Sequence, residues 1–465
     1  MIQNRRLHPA LEKVRFSVKP LEHQSGRPVE LARTMRVHPL SYQELPYDPE
    51  YSLYAGRLTP ETLNLATADE MYWKVRRELI FRHTGEHPFE IRGKDAEIFL
   101  NRIFPRDVSK VKTGRCSYQF ACYHDGGMIT DGLLLRLSEN SFWYAQADGD
   151  LFSWYKAHSH DLEVEIIDPE VWVSQIQGPR SMELLSNLIE EPMPDPWNYF
   201  DWTEVMIADE KVIISRSGFT NELGWEIYIR PENDIEKLGD LILESGKSLG
   251  MILTATPGFR ARRIEAGLLS AGADFDHTTT PFEVGLGRYL DFDKNEFIGR
   301  EALIKADPKN RSWGLRVEKG IALRGRYLEQ DGIVKGRVTS SSWSPFQECG
   351  IGIVLLDETN VEEGTQFQVR CNDGEMHLAE ICTLPMYDTN REIVRGKKVD
   401  IPLSPRPWKA SSAPKSHTYK NSLEETPTHI LPLWVLKSTG SKSMFWIWTE
   451  RKRSTKRSLM LHSLK

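Results

Sequence analysis

The run Ser215-Arg216-Ser217-Gly218-Phe219-Thr220-Asn221-Glu222-Leu223-Gly224-Trp225-Glu226-Ile227-Tyr228 constrains this chain most, because a glycine-rich polar turn delivers an acid into an apolar strand. Alternation along a strand puts Glu226 and Tyr228 on one face and Trp225 and Ile227 on the other. A fold containing this strand must either let the polar face meet solvent or build a pocket in which a carboxylate and a phenol share a wall. In a pocket, the carboxylate would accept hydrogen bonds from a donor-rich heterocycle, and burial would make that pairing strong.

With 465 residues and 40% hydrophobic residues, the chain has material for about two or three cored domains. A net charge of -6 gives no general attraction to nucleic acid, and no stretch is long and apolar enough to cross a bilayer. Arg5 and Arg6 are not followed by an apolar region, so no secretory signal is expected and the expected location is cytoplasmic. Cys116, Cys122, Cys349, Cys371 and Cys382 are scattered without metal-ligand spacing and read as reduced thiols.

Residues 1–49 mix proline with both charges and read as an N-terminal arm; residues 50–310 read as an α+β body of two related layers. The body opens with a Thr- or Asp-capped amphipathic helix over Thr67–Arg77, followed by a helix over Lys94–Ile103 and strands at Gly132–Leu137 and Phe142–Ala145. From 311 to 390, short strands between glycine and polar turns indicate a small β domain. Residues 391–465 read as a basic, low-order tail: 401–465 hold twelve Lys or Arg against three Asp or Glu, and Trp434, Phe445, Trp446 and Trp448 follow no amphipathic pattern. A disordered or frame-shifted extension and a basic arm for an acidic partner are both open.

Asp125-Gly126-Gly127 predicts a tight hairpin turn, after which Asp131 enters the apolar run Leu133–Leu135, either facing a cavity or ending the turn. On the helix Gly258–Gly267, Arg263 is a candidate anion binder; the alternative is a solvated surface helix on which Glu265 and its arginines form an ion-pair network of little weight. Dinucleotide and P-loop glycine patterns, a nucleophile elbow and metal-ligand clusters are all missing from the sequence, which leaves positioning and proton handling by carboxylates and aromatics.

Several segments, in order, resemble the tetrahydrofolate-dependent aminomethyltransferase family, the glycine-cleavage T-protein and its relatives, over roughly residues 50 to 390. They are Tyr118 before Gly126-Gly127-Met128-Ile129-Thr130-Asp131, Ile176-Gln177-Gly178-Pro179, Ser217 to Ile227, Arg263-Ile264-Glu265-Ala266-Gly267, and Phe297-Ile298-Gly299-Arg300-Glu301-Ala302-Leu303. Ser344-Pro345 and Leu384-Pro385 follow in the last domain. The resemblance implies three domains in a ring around a central folate cavity, the last a small β-barrel-like domain. It also implies that Glu226 hydrogen-bonds the pterin, Tyr118 and Tyr228 line the cofactor pocket, and Asp131 sits near the reacting carbon.

Two positions depart from the family pattern: Phe219 replaces the usual tyrosine, and Phe259 replaces an arginine. Gly114–Tyr118, Ala147-Asp148, Gly272–Asp276 and Thr280–Glu283 are closer to the dimethylsulfoniopropionate demethylase branch. That branch implies methyl transfer from a sulfonium to tetrahydrofolate, with Phe219, Trp225 and Trp143, beside Tyr228 and Tyr118, as candidate faces for the cation. The alternative for each aromatic is the core. Expected partners are therefore a small methyl donor and tetrahydrofolate, with no nucleic acid, membrane or metal and an open oligomeric state. Alternative activities are glycine-cleavage aminomethyl transfer, O-demethylation of a methoxy-aromatic acid, or regulatory folate binding without transfer.

Overall fold

The computed structural model describes residues 36–397 and 403–410, together with the backbone of three strands between 432 and 462. The chain opens with β1 (Arg36–Val37), β2 (Glu50–Tyr54) and β3 (Arg57–Thr62), a small sheet in the order β1-β3-β2. Part of the N-terminal arm is thus built into the body: Leu40 and Glu44, between β1 and β2, are buried. Residues 1–35 lie outside the described residues.

Helix α1 (Ala68–Arg77) starts where Thr67 predicts: the Thr67 hydroxyl accepts the Glu70 amide and the Glu70 carboxylate accepts the Thr67 amide at 2.8 Å, a reciprocal cap. There follow β4 (Ile80–His83), β5 (His87–Arg92), α2 (Ala96–Ile103), β6 (Cys116–Cys122), β7 (Met128–Ser138), β8 (Ser141–Gln146), α3 (Phe152–His158), β9 (Glu165–Ile167) and β10 (Trp172–Gln177). Next come α4 (Ser181–Leu188), β11 (Trp202–Ile207), β12 (Glu210–Ser215), β13 (Gly224–Ile229), α5 (Ile235–Lys247), β14 (Ile252–Leu253), α6 (Thr256–Glu265) and α7 (Arg300–Lys305). Strands β6-β7-β8-β5-β9 form a five-stranded sheet, and β11-β12-β13-β10-β4-β14 a six-stranded one, antiparallel except for the β4–β14 pair. The predicted turn at Asp125–Gly127 joins β6 to β7; a Cβ on Gly127 would lie 1.8 Å from the His277 carbonyl oxygen, so only glycine fits.

Each sheet buries one face under helices. Phe99, Leu100 and Ile103 of α2 and Tyr155 of α3 cover Phe89, Leu134 and Phe142. Leu184 and Leu185 of α4 with Leu238 and Ile242 of α5 cover Ile176, Ile214 and Trp225. Between the sheets, Leu135, Trp143 and Ala145 meet Val173, Ile213 and Tyr228 in a thin apolar layer.

The last domain is a closed barrel, β15 (Ser312–Val317), β16 (Tyr327–Gln330), β17 (Ile333–Ser344), β18 (Cys349–Leu356), β19 (Gln366–Arg370) and β20 (Met376–Cys382), in the order β15-β18-β17-β16-β19-β20. Its lumen is filled by side chains including Leu315, Leu328, Val354 and Phe367. The α+β class and the C-terminal barrel therefore agree with the reading of the sequence. All five cysteines are free and buried.

Two expectations are corrected. Helix α6 is not a solvated surface helix: Arg262 and Glu265 are 0% exposed, because the helix lies between α1 and the barrel. The chain also stays packed beyond residue 391. Backbone amides of Arg406 and Trp408 donate to the carbonyls of Phe346 and Gln347 at 2.6 and 2.8 Å, and the carbonyl of Leu403 accepts from Arg77. Farther on, β21 (Pro432–Leu436), β22 (Lys442–Trp448) and β23 (Met460–His462) form an antiparallel sheet, so this stretch is not uniformly irregular. The rest of the expected low-order tail lies outside the described residues.

Candidate functional site

The acid-bearing strand forms a wall. In the six-stranded sheet, Arg82 of β4 is paired with Gln175 of β10, Gln175 with Glu226 of β13, and Glu226 with Ser215 of β12. Directly paired residues project from the same face, so these four side chains form one row. Glu226 is 8% exposed, which removes the reading in which it meets solvent. Its carboxylate accepts the Gln175 amide at 2.9 Å, the Ser217 hydroxyl at 2.5 Å and the Tyr228 hydroxyl at 3.4 Å. Burial pushes it up to about 7, and the nearby Glu86 carboxylate adds to the shift.

The loop entering β13 is fixed by contact with Gln177. That amide donates to the Ser217 carbonyl and accepts the Thr220 hydroxyl at 2.7 Å. A Cβ on Gly218 or Gly224 would come within 2.1 or 2.3 Å of the Gln177 side chain, so both glycines are needed to bring Ser217 onto Glu226.

Asp131 lies within β7, 6% exposed, rather than ending the turn. The Tyr118 hydroxyl of β6 donates to it at 2.7 Å. Burial pushes Asp131 up to about 6, with the Asp274 carboxylate adding to it. Glu86, in the β4–β5 connection, acts on Glu226 and, together with Asp131, on Tyr54.

The aromatics divide. The Phe219 and Phe259 rings lie 6.0 Å apart, with the Arg82 guanidinium 4.8 Å above Phe259. Tyr228 is fully buried and supports Glu226. Trp143, 4% exposed, lies in the layer between the sheets, 6.1 Å from Tyr228. Trp225 leaves the cation cage expected for it: it is 0% exposed on the opposite face, packs 4.5 Å from Trp197 and donates its indole N–H to Ser181. Strand alternation forces this placement.

The reading of Arg263 as a free anion binder is also corrected. It pairs with buried Asp274 at 2.8 Å and donates to Ser340 of the barrel at 2.7 Å.

Sequence reasoning missed Gln175, Glu86 and Arg82. Gln175 carried the same signal as Glu226, a polar residue in an apolar strand; Arg82 joins the row only through the sheet register, and Glu86 only through its place in the β4–β5 connection. Each of the three keeps a buried polar atom without a hydrogen-bond partner among the described residues: Gln175 Oε1, Glu86 Oε2 and Arg82 Nη1. Such atoms are costly unless a ligand or water meets them. No group of metal-ligating side chains forms among the described residues.

A model of the glycine-cleavage T-protein (GCVT) N-terminal domain matches residues 38–294, and one of the glycine cleavage T-protein C-terminal barrel domain matches residues 310–388. The chain belongs to the glycine-cleavage T-protein family. Family members include the aminomethyltransferase of Clostridium botulinum (strain Okra / Type B1), 33% identical over 310 residues that span 64% of this chain and 83% of the relative. The aminomethyltransferase of Caldanaerobacter subterraneus subsp. tengcongensis is 32% identical over 296 residues, 62% of this chain and 78% of the relative. The fold is also that of the glycine cleavage system aminomethyltransferase T from Bartonella henselae, with a TM-score of 0.69 at 22% identity over 76% of this chain and 98% of that one. Membership makes this chain a one-carbon transferase, and no helix among the described residues is long and apolar enough to cross a membrane.

Proposed function

We propose that the protein transfers a one-carbon unit from a small donor to tetrahydrofolate, with Glu226 holding the pterin and Asp131 beside the transferred carbon. The observation that carries this reading is the pair of buried carboxylates on adjoining sheets, each gripped by a hydroxyl and each raised toward neutrality. The residues fit a reduced pterin. Its adjacent N–H donors match the Glu226 carboxylate and the unpartnered Gln175 Oε1 beside it. When bound, the reduced pterin supplies the acceptor nitrogen.

Glu226 fixes the orientation of the acceptor. Asp131, ionised above about pH 6, stabilises positive charge at the carbon and takes the proton released from the acceptor nitrogen. Tyr118 holds the Asp131 carboxylate in place. The enzyme contributes mainly alignment, for which orientation supplies up to about 7–11 kcal/mol.

For the donor, the reading is a methylated cation that also carries a carboxylate, dimethylsulfoniopropionate being the model compound. Arg82, in the same row as Glu226 and two strands or about 10 Å away, offers its guanidinium to the donor carboxylate, with Phe259 and Phe219 beside it. The second reading is aminomethyl transfer, favoured by the names of the relatives. Turnover of a donor panel, with the folate product identified by mass, separates them. Formation of 5-methyl-tetrahydrofolate from the sulfonium supports the first reading, and product only from an aminomethylated donor overturns it. Glu226→Gln should weaken tetrahydrofolate binding by roughly tenfold or more; unchanged affinity and turnover would mean that the pterin lies elsewhere.

A further inference from the structure

Arg57 of β3 is 1% exposed and keeps one edge of its guanidinium free. Its Nη1 donates to the Glu86 carbonyl at 2.8 Å, and the group lies 4.1 Å over the ring of Trp172. Nε and Nη2 are buried and have no hydrogen-bond partner among the described residues. These two nitrogens form the edge on which a guanidinium receives both oxygens of a carboxylate side by side.

The neighbours of Arg57 bring further positive charge and no ion pair. Strand β1 runs parallel to β3 with Arg36 directly opposite Arg57, and like charges so placed oppose strand pairing. Asp168 is the carboxylate that acts most on Arg57, but it accepts from Arg36 at 3.1 Å, from His87 at 3.0 Å and from the Glu170 amide at 2.9 Å. The Glu86 carboxylate acts on Arg57 less. Other arginines of the interior are neutralised, Arg76 and Arg262 by Glu222 and Arg263 by Asp274. Arg57 has no such partner among the described residues, and burial lowers it to about 9.

This place lies apart from the Glu226 row. Trp172 and Ser174 project from the face of β10 opposite to Gln175. His38, edge-on to Trp172 at 5.2 Å and stacked on His83, packs against that face. Toward solvent stand the side chains of Arg36 and Asp168, 44% and 25% exposed.

We infer that Arg57, with Trp172 beneath it and Arg36 on its outer side, forms a binding site for a small monocarboxylate, which the Nε and Nη2 edge takes in a pair of parallel hydrogen bonds. A buried cation without a partner is costly, and a bound carboxylate removes that cost while relieving the repulsion between the two strands. Trp172 covers a face of the guanidinium, which leaves the edge for the ligand. Charge decides between anions: Asp168 and Glu86 already act on Arg57, so one further negative charge is matched and the two of a phosphate dianion are not.

The test follows Tm of the full chain as sodium acetate replaces sodium chloride at constant ionic strength and pH, with inorganic phosphate as a separate arm. The expected result is a saturable rise of about 2 °C with acetate, half complete at millimolar concentration, and a smaller one with phosphate. Arg57→Lys, which keeps the charge and removes the edge, should abolish the rise. Arg36→Gln, at an exposed position, should weaken it severalfold and serves if Arg57→Lys does not fold. Arg82→Gln, which removes the incompletely partnered guanidinium of the Glu226 row, should leave the rise in place. Equal Tm in acetate and chloride, a rise that survives Arg57→Lys, or a rise lost with Arg82 overturns the inference. A larger rise with phosphate than with acetate overturns the choice of a monocarboxylate. None of these outcomes bears on whether folate binds at Glu226.

Discussion

Glu226, the residue proposed to hold the pterin, burdens the resting protein through its buried carboxyl. Burial raises its carboxyl from 4.5 to about 7, so between those values the folded chain holds a proton that the unfolded chain releases. Stability from this group is therefore full at low pH and is lost as pH rises through that window. Glu226→Gln retains the polar contacts without the buried charge. The unliganded variant should be more stable than the parent by ~1–3 kcal/mol at about pH 8, with the gain vanishing by about pH 5; urea unfolding across pH reads it. Asp131 gives the complementary kinetic signature. With its carboxyl at about 6, kcat/KM should rise through that pH as the carboxylate forms. Asp131→Asn should lose that limb and ~10²-fold or more in kcat, with folate affinity nearly kept, whereas an unchanged pH profile would remove Asp131 from the chemistry. Glu226 and Asp131 were legible as buried acids because polar residues inside apolar strands stand out in a sequence, whereas Tyr118 entered only through the family resemblance. Trp225 shows the opposite limit: its neighbour in sequence lines the candidate site, and alternation sends it into the core on the other face.

At the scale of elements, the interior ion-pair network does what the sequence concealed. Glu222, in the loop before β13, pairs with Arg76 of α1 at 2.6 Å and with Arg262 of α6 at 2.9 Å, while Arg262 also pairs with Glu265. Glu265 in turn accepts the Tyr72 hydroxyl of α1 and, at 2.5 Å, the Ser344 hydroxyl of β17. One network thus ties two helices, the site loop and the barrel together. A run such as Arg260-Ala261-Arg262-Arg263-Ile264-Glu265 looks solvated in a sequence, because only tertiary contacts reveal that Arg262, Arg263 and Glu265 are buried together with their partners. Its side chains contrast with the Thr67 cap and the Gly126-Gly127 turn, which were legible because their hydrogen bonds are local. Glu222→Ala would leave two buried guanidinium groups uncompensated, so a loss of ~3–5 kcal/mol is expected. Chemical denaturation checks it, and a loss below about 1 kcal/mol would show that the network carries little weight.

For the whole molecule, the α+β class was legible from the mixed pattern of the body and a small β domain from the change in strand length and turn density near residue 311, its barrel form came from the family resemblance, and the far end of the chain was not legible. Composition made everything after residue 391 look alike, yet the segment 403–410 is held to the body by backbone hydrogen bonds, with Trp408 packed beside Tyr72, Ala261 and Phe346. A single strap of this kind leaves no periodic signal. The contacts divide the chain into Met1–Lys415 and Ser416–Lys465, which predicts where it can be cut. A chain ending at Lys415 should fold, bind tetrahydrofolate and turn over as the full chain does. A chain ending at Lys397 should lose ~1–2 kcal/mol, because the Trp408 surface returns to water and the hydrogen bonds along the strap are lost. Thermal unfolding and folate titration of the three chains decide the matter. If the cut at Lys415 abolishes turnover, Ser416–Lys465 belongs to the catalytic unit; if both cuts behave as the full chain, the strap contributes nothing.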